Sequence, residues 1–264
     1  MSRSRLSYVG GMAFAGVALL GGAACSKITA EQRTWLSQGQ QAYEAKEYSR
    51  SIDFMSRFLE TELDAPETQR ALYYKGLSEA YRGQRASAVQ DLKHSAELAH
   101  DNAMTWRAYA AIGSIYFEDE KWDEAAEAFY EASQRMPTLP PKDVVLYKLG
   151  MARERAGRWG DAAVPYEQIL AEFPDGEIAR SAQRRLSTRT DTFTVEVAQF
   201  AVPSNADYLA FELEQQGLRP TIRRERVGPK DVYVVTVGEY PTQSEAEDAA
   251  ARVRERYPTA KVWP

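Results

Sequence analysis

The sequence predicts two modules of different class, an all-α helical solenoid followed by a small α+β domain built on a four-stranded antiparallel sheet. Glycine recurs at intervals of thirty-seven residues, at Gly39, Gly76, Gly113 and Gly150, and a small residue follows each by twelve, at Ser51, Ala88, Ala125 and Ala162. A fixed period in this range marks stacked supersecondary units that each need neighbours to cover an apolar face. The stretch from Phe193 to Val262 is written twice at an offset of forty, which lays Phe193 on Tyr233, Val195 on Val235, Val197 on Val237, Ala206 on Ala246, Ala210 on Ala250 and Ile222 on Val262. Each half reads as strand, helix, strand.

At 264 residues the chain is long enough for two domains, and 44% hydrophobic content argues against disorder. Its 33 basic and 38 acidic residues offer no broad polyanion-binding field, so nucleic acid is not an expected partner. A single cysteine, Cys25, excludes an intrachain disulfide.

Residues 1–24 read as a secretory leader: Arg3 and Arg5 supply the positive start, Met12 to Leu20 the apolar core, and Gly21 to Ala24 the small residues before a cleavage site. Cys25, directly after them, resembles the lipobox cysteine of bacterial lipoproteins, although Gly22 stands where leucine is usual. The resemblance implies a lipid anchor at Cys25 on a tether over 25–31, and Ser26 implies the outer membrane. Acyl chains contribute roughly 0.8 kcal/mol per buried methylene, so more than one makes anchoring durable.

Residues 32–187 carry the helical repeats. Between the small positions fall Tyr48, Arg85, Trp122 and Trp159, and after them Met55, Leu92, Phe129 and Tyr166. The small residues are expected where paired helices approach closely, with the aromatics filling the gaps between pairs. The third unit, AYAAIGSIYFEDEKWDEAAEAFYEASQRMP, resembles tetratricopeptide (TPR) repeats through Tyr109, Ile112, Gly113, Tyr116, Ala125, Phe129, Ala132 and Pro137. The resemblance implies a protein-recruiting surface. Gly176 to Leu186 reads as a closing helix, and residues 188–192 as a linker.

Residues 193–264 form the second module. Phe193, Val195 and Val197 alternate with Thr194 and Glu196, the period of a strand with one buried face, and Ala206, Leu209, Ala210 and Leu213 recur at helical spacing. Two such halves give the βαββαβ, ferredoxin-like order with both helices on one face. FTVEVAQF and VYVVTVGEYPTQSEAEDAAARV resemble the two halves of the SPOR domain, a bacterial module that binds septal peptidoglycan. The family usually has glutamine where Glu196 stands, glycine where Ala198 stands and often arginine where Val234 stands.

Strand alternation leaves the second sheet face open, with Thr194, Glu196, Thr221, Arg223, Val234, Thr236, Lys261 and Trp263 on it. Hydroxyls, charged hydrogen-bonding groups and one aromatic suit a sugar chain. Glu196, Arg223, Val234, Thr236, Lys261 and Trp263 are therefore the candidate glycan-binding residues, and Arg223, Arg224, Arg226 and Lys230 are candidate counter-charges for the lactyl carboxylates of peptide-stripped glycan.

No catalytic residue, metal set or cofactor site is expected. His94 and His100 stand six apart on one predicted helix, off the i, i+4 spacing of a helical metal pair, and no G-x-S-x-G, Walker or dinucleotide fingerprint occurs. Glu118, Asp119 and Glu120 read as a solvated turn. The expectation is a non-enzymatic, outer-membrane lipoprotein facing the periplasm. Its C-terminal module binds peptidoglycan glycan strands and its solenoid recruits envelope proteins. The alternative is an outer-membrane or pilus assembly lipoprotein in which the solenoid does the work and the C-terminal module docks protein. An RNA-binding sheet of the same order is excluded by the leader and by the absence of aromatic-rich RNP strands.

Overall fold

The computed structural model describes residues 28–63, 65–187, 191–227 and 230–263. The expected leader, Cys25 and residues 188–190 of the expected linker lie outside the described residues.

Four helix pairs and a closing helix stack in chain order: α1 (Ala30–Glu44) with α2 (Tyr48–Leu59), α3 (Pro66–Tyr81) with α4 (Arg85–Leu98), α5 (Asn102–Glu118) with α6 (Trp122–Arg135), α7 (Lys142–Arg155) with α8 (Trp159–Glu172), then α9 (Glu177–Ser187). The starts follow from local chemistry. Thr29 and Gln32 form a capping box on α1, Pro66 opens α3, and the Asp101 carboxylate accepts from the backbone N–H groups of Ala103 and Met104 at the head of α5.

The turn inside each pair is the same four times. Lys46, Gly83, Glu120 and Gly157, again thirty-seven apart, all take left-handed φ, between 59° and 79°. The next residue's N–H returns to a carbonyl five residues back, as in Glu47 to Ala42 (2.8 Å) and Arg158 to Arg153 (2.8 Å). This is the Schellman ending, which prefers glycine at the left-handed position. Two of the four positions hold a glycine, while Lys46 and Glu120 adopt the conformation at a steric cost. The linking loops between pairs are not uniform. They span 60–65 and 136–141 but only 99–101 before α5, whose seventeen residues absorb the rest of the unit. His100 falls in that short loop, so the two histidines do not share a helix; α4 ends at Leu98.

Each repeat glycine faces a large side chain sixteen residues on. A Cβ built on Gly39, Gly76, Gly113 or Gly150 would come within 2.7, 2.8, 2.7 or 2.5 Å of Met55, Leu92, Phe129 or Tyr166 respectively. Those four residues are fully buried, as are Ser51, Ala88, Ala125 and Ala162. The glycine is a hole and the residue across the pair is its knob, so Phe129 and Tyr166 fill the space within their own pairs and not the gaps between pairs as expected. Apolar clusters follow one another along the stack, from Ile28, Met55 and Phe58 at one end to Tyr166, Ile169, Ala179 and Ala182 at the other.

The second module comprises β1 (Phe193–Phe200), α10 (Pro203–Gln215), β2 (Pro220–Val227), β3 (Lys230–Tyr240), α11 (Gln243–Arg254) and β4 (Lys261–Trp263). The strand order is β2-β3-β1-β4, antiparallel throughout. Val195, Val197, Val235 and Val237 meet Ala206, Leu209, Leu213, Ala249, Ala250 and Val253 in one core under both helices. Phe193 departs from the simple alternation. Register shifts interrupt the β1–β3 pairing between Phe193 and Val195, and Phe193 is buried against Trp159 of α8, ring centroids 4.8 Å apart.

Candidate functional site

The face of the sheet turned away from the helices is organised by the duplication. The offset of forty pairs Glu196 with Thr236, Thr221 with Lys261 and Arg223 with Trp263. Register places Thr221 beside Thr236, Thr236 beside Glu196, and Glu196 beside Lys261, so one row crosses all four strands. Equivalent residues of the two halves thus stand on either side of a pseudo-twofold axis between the central strands.

The face is not open, as alternation alone predicts. Arg223 on one edge strand and Trp263 on the other reach across the centre until the guanidinium carbon lies 3.5 Å from the Trp263 ring centroid. A cation over an indole face is attracted by its quadrupole. This bridge spans the two central strands, and beneath it Val234, Thr236 and Glu196 are 0%, 4% and 6% exposed. The expectation that these three, with Trp263, stand free in solvent is therefore corrected: a long edge side chain folds inward over them.

The charges on the face are also matched internally. Glu196 Oε1 accepts from Lys261 Nζ at 3.1 Å and from Gln199 Nε2 at 2.9 Å. Arg223 Nε donates to Glu225 Oε1 at 2.7 Å. Thr236 Oγ1 donates weakly to the Thr221 carbonyl at 3.4 Å. Arg224 pairs with Asp231, and that guanidinium holds the exposed Asp231 carboxyl below the usual carboxylate range. Lys261 remains largely exposed despite its pairing, and Arg226 and Lys230 are exposed at the β2–β3 hairpin. What the face offers a ligand is a stacked Arg–Trp lid, the accessible Lys261 ammonium and the exposed Thr221 hydroxyl, with Thr236 and Glu196 held beneath the lid.

The solenoid brings a second set of groups together. Lys148 donates to Ser114 Oγ at 3.3 Å, joining α7 to α5, and burial pushes its ammonium below the ordinary lysine range. Arg155 lies over the rings of Phe117 and Trp122 at 4.6 and 4.7 Å. Glu118 and Asp119 pair with Arg85 of the preceding unit, so the acidic turn is a link between units. Among the described residues no group of three or more His, Cys, Asp or Glu converges as a metal set, and no helix is long and apolar enough to cross a membrane.

Sequence reasoning missed the Arg223–Trp263 bridge and the meeting of Trp159 with Phe193. The series Tyr48, Arg85, Trp122, Trp159 carried a signal for the second, whereas the first is a tertiary contact between edge strands that leaves no period.

A helical solenoid joined to a βαββαβ sheet with a polar outer face defines a protein built of binding modules. Residues 189–262 match the SPOR domain family and residues 144–176 the tetratricopeptide repeat family, so the chain carries a SPOR domain behind a TPR-like solenoid whose fourth unit matches the repeat family. Both families are non-catalytic binding modules. Similar solved structures include a MamA protein, 18% identical over 71% of this chain and 92% of that one with a TM-score of 0.48. MamA from Desulfovibrio magneticus RS-1, from its residue 41 onward, is 13% identical over 61% of this chain and 93% of its own, TM-score 0.48. YrrB, a TPR protein with an unusual peptide-binding site, is 16% identical over 58% of this chain and 74% of its own, TM-score 0.46. No curated protein matches the sequence.

Proposed function

We propose that this is a non-enzymatic cell-envelope protein that holds peptidoglycan through the outer face of its SPOR sheet and recruits envelope proteins through its TPR solenoid. The observation that carries the reading is the SPOR match, which spans all four strands and both helices of the second module. The ligand is glycan stripped of its peptides, as at a division site. Lys261 faces the glycan's lactyl carboxylates and Thr221 its hydroxyls, and Thr236 and Glu196 join them once Arg223 moves aside. To stack a sugar on Trp263, the glycan displaces Arg223, which keeps Glu225 as a partner. A lipid on Cys25 anchors the chain to the outer membrane, facing the periplasm.

Co-sedimentation of the full chain with purified sacculi tests the glycan reading. Binding that rises when the sacculi are first treated with an amidase is expected. No binding to either preparation overturns it and leaves the assembly-factor alternative. Labelled fatty acid tests the anchor: uptake by the wild type and none by Cys25→Ser is expected, and an unlabelled wild type removes the lipid from the proposal.

A further inference from the structure

The first residue of each second helix meets the next element along the stack from the same position, by different chemistry each time. Tyr48 stacks on Tyr81 at 4.6 Å, Arg85 pairs with Glu118 at 3.2 Å, and Trp122 meets Arg155 at 4.7 Å. Each partner lies thirty-three residues on, at the end of the next unit's first helix. In the fourth pair the following helix, α9, ends at Ser187, short of position 192, and Trp159 packs instead on Phe193 of β1, thirty-four residues on, at 4.8 Å. Its indole N–H also donates to the Pro241 carbonyl at 3.4 Å. Gly157 comes so near that a Cβ there would lie 2.9 Å from the same oxygen. The SPOR module is therefore seated against the solenoid at the position through which each unit meets the next.

This seating bounds a cleft of about 720 Å³ between α7, α8, α9 and β4. Its walls carry the rings of Tyr147, Trp159 and Trp263 and the polar groups of Ser181, Arg184 and Asp191. Pockets of roughly 300–1,000 Å³ suit small ligands. Flat rings beside planar, multiply hydrogen-bonding groups are the chemistry that grips a pyranose, whose C–H face is apolar and whose rim is hydroxyl. Arg184 donates to Ser181 Oγ at 2.9 Å, which orients both at the wall. Trp263 belongs to the cleft and to the sheet face at once, so the two surfaces are continuous across β4.

We propose that this cleft is a saccharide subsite shared by the two modules, taking sugars of a peptide-free glycan strand where the strand runs off the β4 edge of the sheet. The inference rests on the glycan reading of the sheet face. It adds that the solenoid's last helices contact the glycan themselves, so a longer fragment binds more tightly than a short one by way of residues outside the SPOR module.

Calorimetric titration of the full chain with peptide-free glycan disaccharides and octasaccharides tests this. Gly160→Trp fills the cleft from the exposed start of α8, where an added Cβ meets nothing within 4 Å. Arg184→Met removes a wall donor without filling it. The octasaccharide is expected to lose about tenfold in affinity with the first variant and about threefold with the second, while disaccharide binding and thermal midpoints hold. Should Gly160→Trp fail to fold, Arg184→Met alone decides. Unchanged octasaccharide affinity in the folded variants overturns the cleft and leaves the sheet-face reading standing. A wild type that binds neither fragment nor sacculi overturns both.

Discussion

Both modules arise by duplication, at a period of thirty-seven in one and forty in the other, yet the copies combine in opposite ways. In the solenoid each unit is contiguous and meets its neighbours only. In the sheet the order β2-β3-β1-β4 alternates strands of the first half, β1 and β2, with strands of the second, β3 and β4. Helices α10 and α11 each touch strands of both halves. Stacked copies yield a chain whose stability is a sum of units and interfaces, whereas interleaved copies yield one core that forms whole or not at all.

The largest effect that tests this contrast is a cavity in the sheet core. Leu213 is fully buried among Val195, Val235 and Val253. Leu213→Ala should cost about 2–5 kcal/mol, and hydrogen exchange should show protection falling together in all four strands while α1 to α6 keep theirs. Loss confined to β2 and α10 would mean that the halves are separable.

The matching test in the solenoid is smaller and spreads differently. Gly113→Ala drives a Cβ to 2.7 Å from the Phe129 ring. Overpacking should cost about 1–3 kcal/mol, offset by up to about 1 kcal/mol of helix propensity. Protection should fall most in α5 and α6, less in α3, α4, α7 and α8, and least in the sheet. Equal loss everywhere would contradict a sum of units.

These two contrasts were legible in the sequence, for a physical reason. A hole for Met55, Leu92, Phe129 or Tyr166 must be small in every unit, and a strand between helices and solvent must alternate, so both constraints leave a period. The closure of the sheet face left none. Alternation assigns Arg223, Val234, Thr236 and Glu196 a direction, but burial depends on whether the long Arg223 side chain folds inward to Trp263, a tertiary contact between edge strands. The pairing of Glu196 with Lys261 depends likewise on register. Phe193 fits the alternation as a letter and leaves it in space, because Trp159 offers a ring.

A stabilising change of smaller size comes from the shared turn. Glu120 holds the left-handed conformation, φ 59°, at the place where Gly83 and Gly157 stand in their units. That conformation costs a non-glycine residue roughly 1–2 kcal/mol, and glycine returns part of the gain through the freedom of its unfolded chain. Glu120→Gly should therefore stabilise the third unit by about 0.5–1 kcal/mol, read as a higher denaturant midpoint with an unchanged slope. No gain would mean that Glu120 makes compensating contacts, and the units would differ more than their turns suggest.

The smallest expected effect lies where the two halves of the sheet meet. Glu196 and its counterpart Thr236 are register partners on the central strands, and one of them carries a charge where the other carries a hydroxyl. The Glu196 carboxylate is held by Lys261 and Gln199, so its repulsion of an anionic glycan is already partly cancelled. Glu196→Gln leaves the ammonium of Lys261 for the ligand and adds an amide donor to the row. Glutamine is isosteric with Glu196 and its amide oxygen can still accept from Gln199, so no unpaired charge is left buried and the fold should hold. Affinity for amidase-treated glycan should rise about two- to fivefold at low salt, and the gain should shrink as ionic strength shortens the screening length. Lys261→Met should act in the opposite sense, leaving Glu196 to repel the ligand. If both variants bind as the wild type does at low salt, glycan does not meet the central row, and the pseudo-twofold face is a structural consequence of duplication rather than its use.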